Sequence, residues 1–326
     1  VSRWLRFDKQ LREVDADIAK LERLLSSPSI SDERRQKVRE QIASLRRRQE
    51  HITRDVFGML TAWDNVLLAR HAERPHALDY INAICEDFVE LHGDRRFGDD
   101  PAIVAGLASL EGMAVAVVGH QKGRDVKQRQ FRNFGSARPE GYRKAARIMR
   151  LAERFGHPVV SLVDTPAAES RPEAEERGIA NAIAENLLLM SQLRTPIVVA
   201  IIGEGGSGGA IGIGVGDHVM MLEHAIYSVI PPESCAVILE AFGRDPARGP
   251  EAAEALRLSA RRTMELGAVD EVVAEPLGGA HRDPAGAARN LKESLVAALE
   301  RLRVMPREAL LEARYRKYRG IGHFVE

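Results

Sequence analysis

Apolar positions in the first seventy residues recur at helical spacing. Leu11, Val14, Ile18, Leu21 and Leu25 fall three or four apart, as do Val38, Ile42 and Leu45, followed by Ile52 and Val56. Ser26-Ser27-Pro28-Ser29 interrupts the run, and Ser31 stands where it can N-cap a second helix with Asp32 and Glu33 in its first turn. The spacing predicts a helical hairpin with charged outer faces, each apolar stripe requiring a partner surface. From Ala102 the period changes. Residues 102–107 and 113–118 flank Glu111-Gly112 and read as two strands joined by a tight turn. Helix and strand then alternate: helix over 141–155, strand 158–163, helix 179–193, strand 196–202, and further strands at 218–222 and 226–230. Strands separated by helices of this length imply crossover connections and a largely parallel sheet. The last forty residues return to helix, with Leu291, Leu295, Ala298 and Leu302 on one face.

One segment breaks both periods. Gly203, Gly205, Gly206, Gly208 and Gly209 crowd into seven residues directly after a buried strand. Glycine lacks a Cβ and accepts positive φ, so such a loop can bring bare backbone N–H groups against an anion or oxyanion. Tight packing of elements explains two glycines but hardly five. The cluster fits several patterns. Gly203-x-Gly205-x-x-Gly208 matches a dinucleotide fingerprint with Glu223 downstream, but the stretch to the next strand is short for a crossover helix. Gly205-x-Ser207-x-Gly209 matches a nucleophile elbow, with His218, His224 and His281 following; a hydrolase needs one of them and a carboxylate brought to Ser207. The phosphate-loop pattern fails, because no Lys-Ser or Lys-Thr follows.

Composition narrows the function class. The 326 residues hold 47 basic and 47 acidic side chains, which argues against a dedicated nucleic-acid or membrane-surface binder. Apolar residues at 44% and charged residues at 29% fit a folded globular chain. Cys85 and Cys235 stand alone, leaving neither a disulfide framework nor a cysteine-based zinc site. The first twenty residues have no continuous apolar core and no window suits a membrane span, so a cytoplasmic location is expected. The overall neutrality conceals one imbalance. Residues 121–150 hold ten basic and two acidic side chains, a local excess of eight that could attract phosphates or a carboxylate, or could serve a solvated face or interface.

Seven segments in order carry a resemblance. They are Gly119-His120-Gln121-Lys122-Gly123-Arg124, Arg132-Asn133-Phe134-Gly135, Pro139-Glu140-Gly141-Tyr142-Arg143-Lys144, Ala174-Glu175-Glu176-Arg177-Gly178, residues 202–210, Tyr227-Ser228-Val229-Ile230 and Glu275-Pro276-Leu277-Gly278-Gly279-Ala280-His281. Together they resemble the alpha subunit of the bacterial acetyl-CoA carboxylase carboxyltransferase over essentially the whole chain. The resemblance implies an α/β crotonase-like spiral of ββα units, with an N-terminal helical arm (1–75), a carboxyltransferase domain (76–326) and C-terminal helices. It implies an α2β2 assembly in which a separate beta subunit carries zinc, with a biotin carboxyl carrier protein and a biotin carboxylase as further partners. No cofactor is expected to be held directly by this chain, and nucleic acid is not expected as a partner. The implied reaction moves a carboxyl group from N1′ of carboxybiotin on the carrier to the methyl carbon of acetyl-CoA, giving malonyl-CoA.

By the same resemblance the N–H groups of Gly208 and Gly209 form an oxyanion hole on the biotin side. Gly205 and Gly206, with Lys122, Arg124, Arg143 and Lys144 from the basic stretch, are the candidate substrate-binding positions. Ser207 is expected to pack the loop, and His120 and His281 have no derived role. Where members of the family commonly carry a glycine turn after Asp-Thr-Pro, this chain has Ala167-Ala168-Glu169-Ser170-Arg171-Pro172, and Pro232 replaces a small residue. Because Ala resists positive φ, loop geometry and acyl-CoA preference are open at this point. Two alternatives remain: a crotonase-like hydrolase or isomerase acting alone, and a non-catalytic scaffold.

Overall fold

The computed structural model describes residues 8–27 and 30–322. Residues 1–7 and 323–326, and Pro28 and Ser29 of the expected break, lie outside the described residues. Helices α1 (Asp8–Leu25) and α2 (Asp32–Phe57) form the expected hairpin. Ser31 takes the N-cap position in extended geometry, without a side-chain hydrogen bond. Val14 and Ile18 of one helix meet Val38 and Ile42 of the other, with Leu21, Leu25, Leu45 and Ile52 packed on that seam. The two stripes are therefore each other's partner surface, and burial of this seam closes the hairpin on itself.

The body follows in chain order. Helices α3 (Ala62–Ala69) and α4 (Ala77–Ile84) precede strands β1 (Glu86–Glu90), β2 (Ile103–Leu110) and β3 (Met113–His120). Glu111 and Gly112, both at positive φ (49° and 73°), make the tight turn between β2 and β3. Helices α5 (Val126–Phe131) and α6 (Pro139–Phe155) lead to β4 (Val159–Thr165), then α7 (Pro172–Glu176) and α8 (Ile179–Gln192) to β5 (Ile197–Gly206). After α9 (Ser207–Ile211) come β6 (His218–Leu222), β7 (Ile226–Ser228), α10 (Pro232–Ile238), α11 (Gly249–Ala255), α12 (Ala260–Glu265) and β8 (Glu271–Val273). Helices α13 (Pro284–Arg303) and α14 (Arg307–Arg319) close the chain, with Leu291, Leu295, Ala298 and Leu302 buried as the spacing requires.

The eight strands among the described residues join one sheet; seven follow the order β1-β2-β3-β4-β5-β6-β8, antiparallel up to β3 and parallel beyond it, and β7 pairs with the end of β5. Every residue of β4 is buried and every residue of β5 up to Gly205, which is why both read as continuous apolar runs and not as alternation. The end of β5 departs from the regular ladder. Its register against β4 shifts between Val163↔Ile201 and Thr165↔Gly205, and Glu204, Gly205 and Gly206 leave β6 to pair with β7. This irregular end positions the glycine loop.

The body begins ahead of residue 76. Val66 and Ala69 of α3 pack with Ile226, Ala253 and Leu258, and Arg74 is among the largest fully buried side chains. No described helix is long and apolar enough to cross a membrane.

Candidate active site

Four of the five clustered glycines are required by close approach. A Cβ on Gly203 would lie 2.4 Å from Asp164 Oδ1, on Gly205 2.7 Å from Tyr227, on Gly206 2.0 Å from the Pro166 carbonyl oxygen, and on Gly209 2.5 Å from the Ala167 backbone. Gly208 differs, since its Cβ would meet only Ile183 Cδ1, at 3.8 Å. Packing thus accounts for more of the cluster than the sequence reading allowed, and it singles out Gly208 as the glycine that faces open space. Gly208 also lines a cavity of about 370 Å³, together with Ser207, Ile211, Tyr227, Val229 and Leu266 among others. Gly208 and Gly209 fall in the first turn of α9, where backbone N–H groups have no intrahelical acceptor. Ser207 turns the chain at φ 49°.

Beneath the loop lies a buried chain of charges. Lys122 Nζ, near the end of β3, sits 2.7 Å from both Asp164 Oδ1 and Glu204 Oε2. Asp164 Oδ1 also accepts the Glu204 backbone N–H at 2.9 Å, and its Oδ2 lies 3.3 Å from His76 Nδ1. Glu204 Oε1 accepts from Arg70 Nε at 2.6 Å, and Arg70 also reaches Glu233 at 2.5 Å. Burial alone would raise the Asp164 and Glu204 carboxyls; Lys122, joined by His76 at Asp164 and by Arg70 at Glu204, outweighs it and holds both below the usual carboxylate range. Reciprocally, burial pulls the Lys122 ammonium down, and the two carboxylates more than restore it. A second pair lies deeper: Arg74 forks onto Glu275 at 2.5 and 3.1 Å and donates Nε–H to the Ile202 carbonyl at 2.8 Å. Burial opposes ionisation of Glu275, but Arg74 holds it down to about 2.

The structure gathers some predicted residues here and removes others. Gly205, Gly206, Gly208 and Gly209 stand together with Lys122 beneath them, but the Lys122 ammonium is already engaged by two carboxylates. Arg124 lies half exposed, paired with Asp79 at 2.6 Å. Arg143 is tied to Asp94 at 2.8 Å and donates to the Arg177 carbonyl at 3.2 Å. Lys144 is fully buried against Asp99 at 2.6 Å and the Asp100 carbonyl at 2.8 Å. Their charge is consumed inside the protein, so the substrate-binding role expected of Arg143 and Lys144 gives way to bracing α6 against the 94–100 loop. The sequence reading missed Arg70, Arg74, Asp164, Glu204 and Glu275. Two signals were visible: an aspartate inside an apolar strand and a glutamate inside a glycine loop.

The remaining expectations also find their place. Ala167 is not at positive φ, so the alanine that replaces the usual glycine is unstrained, and its N–H and carbonyl both engage Thr165 Oγ1. His120 is fully buried, and burial pushes it down to about 3; burial likewise pushes His281 down to about 3, its ring 4.2 Å from that of His71. The hydrolase reading lacks its histidine. His218 is held by Glu271 at 2.8 Å, His224 lies 3.1 Å from Asn65, and the His281 ring leans on that of His71 at a tilt of 38°.

Similarity to known proteins identifies the family. Residues 4–322 match the family described as acetyl co-enzyme A carboxylase carboxyltransferase-like. The acetyl-coenzyme A carboxylase carboxyl transferase subunit alpha of Methylococcus capsulatus is 50% identical over 99% of this chain and 98% of its own length. The subunit of that name from Thermus thermophilus is 50% identical over 99% of both chains. Among solved structures, transcarboxylase 12S superposes with a TM-score of 0.57 at 21% identity, covering 72% of this chain and 43% of that one. A Pseudomonas malonate decarboxylase hetero-tetramer in complex with coenzyme A gives 0.56 at 17% identity, covering 73% of this chain and 91% of that one. These likenesses show that the chain shares the fold of those two proteins. With the family matched over nearly its full length, the chain belongs to the acetyl-CoA carboxylase carboxyltransferase alpha-subunit family.

Proposed function

We propose that this chain is the alpha subunit of an acetyl-CoA carboxylase carboxyltransferase and that its glycine loop stabilises charge on the biotin side of the transfer. The carboxyl group leaves N1′ of carboxybiotin, presented on a carrier protein, and joins the methyl carbon of acetyl-CoA. One C–N bond breaks, one C–C bond forms, and the methyl proton passes to the ureido nitrogen. Negative charge grows on the ureido oxygen as the carboxyl departs. Backbone N–H groups of Gly208 and Gly209, fixed in advance, favour that charge without reorganisation at the moment of reaction. The observation that carries this reading is the open face of Gly208 beside the 370 Å³ cavity, in a loop whose other glycines are all hemmed in.

Ser207 serves as the turn and not as a nucleophile in this scheme. The ion pairs below the loop anchor Glu204 by both its side chain and its backbone, so the N–H groups keep their aim. A separate beta subunit carrying zinc, a biotin carboxyl carrier protein and a biotin carboxylase are the proposed partners, in an α2β2 core located in the cytoplasm. Reconstitution tests the assignment. The chain alone should be inactive, and the chain with its beta partner should form malonyl-CoA from carboxybiotin and acetyl-CoA. A folded pair that makes none overturns the proposal. Thioester hydrolysis by the chain alone, with labelling of Ser207 by a serine-reactive probe, would replace it with the hydrolase reading.

A further inference from the structure

Three arginines from separate segments converge on a cavity at the opposite end of the sheet from Gly208. It measures about 390 Å³ and lies where β3, β4 and β5 begin, with Met113, Pro158 and Pro196 in its wall. Arg194 precedes β5, Arg303 ends α13 and Arg307 begins α14; all three line the cavity, and no aspartate or glutamate does. None of the three guanidinium groups has a hydrogen-bond or ion-pair partner among the described residues. That sets them apart from Arg70, Arg74, Arg143 and Arg314, each clasped by a carboxylate. Two acids lie nearby: Glu153, whose Oε1 accepts the Arg194 backbone N–H at 2.8 Å, and Glu308, which lines a neighbouring cleft with Arg194. Met113, Leu302, Met305 and Leu310 add an apolar wall.

The three arginines are exposed, and with no carboxylate in the cavity lining they leave a positively charged mouth that an anion can occupy. We propose that this cavity binds a small organic phosphate, its head held by Arg194, Arg303 and Arg307 and its body resting on Met305 and Leu310. Guanidinium forks match phosphate oxygens bidentately, and a dianion balances three guanidiniums better than a single carboxylate does. A volume near 390 Å³ sits within the range of about 300–1,000 Å³ typical of small-molecule sites and is too small for a folded partner. In the +8 stretch at 121–150, Lys122, Arg124, Arg143 and Lys144 are taken up by carboxylates; this site is built from residues scattered between 113 and 310 and is visible only when folded. The inference does not rest on the carboxyl-transfer reading.

Calorimetric titration of the full chain with phenyl phosphate tests it. Saturable one-to-one binding is expected, weakening as potassium chloride is raised. The Arg194→Glu/Arg303→Glu double variant and the neutral Arg303→Gln/Arg307→Gln variant should each weaken it at least about tenfold, while Arg34→Glu on the remote hairpin leaves it unchanged. Phenylacetate should bind more weakly than phenyl phosphate. Absence of saturable binding, equal affinity in all variants, or phenylacetate binding as tightly as phenyl phosphate would each overturn the proposal.

Discussion

Asp164 and Glu204 stay ionised side by side because one ammonium, Lys122 Nζ, lies 2.7 Å from each. Replacing it by methionine leaves two buried carboxylates facing each other, with Arg70 and His76 as the remaining relief. Removing one member of a buried pair costs about 3–5 kcal/mol, so Lys122→Met should lower the free energy of unfolding in urea by that order. Lys122→Arg, which keeps the charge, should recover part of it. The pH dependence follows from the shifts. Asp164 and Glu204 are held below their unfolded values, so their contribution is present above about pH 4 and is lost as pH falls further. His120 acts earlier. Burial keeps it neutral to about pH 3, whereas the unfolded chain takes up that proton near pH 6.5. Stability should therefore fall by about 1 kcal/mol between pH 6.5 and 5.5 through His120 alone, and His120→Phe should flatten that segment of the curve. Lys122 was legible as a member of a motif, but its partners were not. Arg70 and Arg74 were invisible because the carboxylates they meet stand 134 and 201 positions away.

The glycine loop shows what an element can hide. Its place after a buried strand and before a short helix was readable from the switch of period, and β2 to β6 fall close to their expected bounds for the same reason. The register shift against β4 and the pairing of the loop with β7 were not readable, since both depend on how near Gly203 and Gly206 come to Asp164 and Pro166. This difference within one loop gives a sharp contrast. Gly206→Ala puts a methyl 2.0 Å from the Pro166 carbonyl oxygen, so the loop must shift and the melting temperature should drop. Gly208→Val has room beside the cavity, since its Cβ would meet nothing nearer than Ile183 at 3.8 Å, so the protein should melt normally while kcat of the reconstituted enzyme falls by roughly 10²-fold or more. A normal kcat in Gly208→Val would remove the oxyanion role; a normal melt in Gly206→Ala would show that the loop is not held where the contacts place it. The basic stretch misled for a related reason. Charge counted along α6 ignores Asp94, Asp99 and Asp100, which arrive from the preceding loop and take up Arg143 and Lys144.

At the scale of the whole molecule, the question is where the arm ends. The hairpin α1–α2 buries its own seam and touches the body through side chains such as Arg282, whose guanidinium lies 3.0 Å from both Asp15 carboxylate oxygens. A single pair of this kind, partly open to solvent, contributes about 1 kcal/mol. Residues 62–74 are different. Val66 and Ala69 belong to a core cluster, Arg70 neutralises Glu204 and Glu233, and Arg74 is the only cation in bonding contact with Glu275 among the described residues. A chain beginning at residue 58 keeps all of these, whereas one beginning at residue 76 strands buried Glu275, leaves Glu204 with Lys122 alone, and strips the apolar cover from Ile226 and Leu258. Since a domain is stable by only about 5–15 kcal/mol, losing the Arg74–Glu275 pair and that cover together is enough to abolish cooperative folding. The 58–326 truncation should give a single sharp calorimetric transition close to that of the full chain, and the 76–326 truncation none. A sharp transition from both would return the boundary to residue 75 and make Arg70 and Arg74 accessories of the arm; its absence from both would make the hairpin part of the same folding unit as the active site.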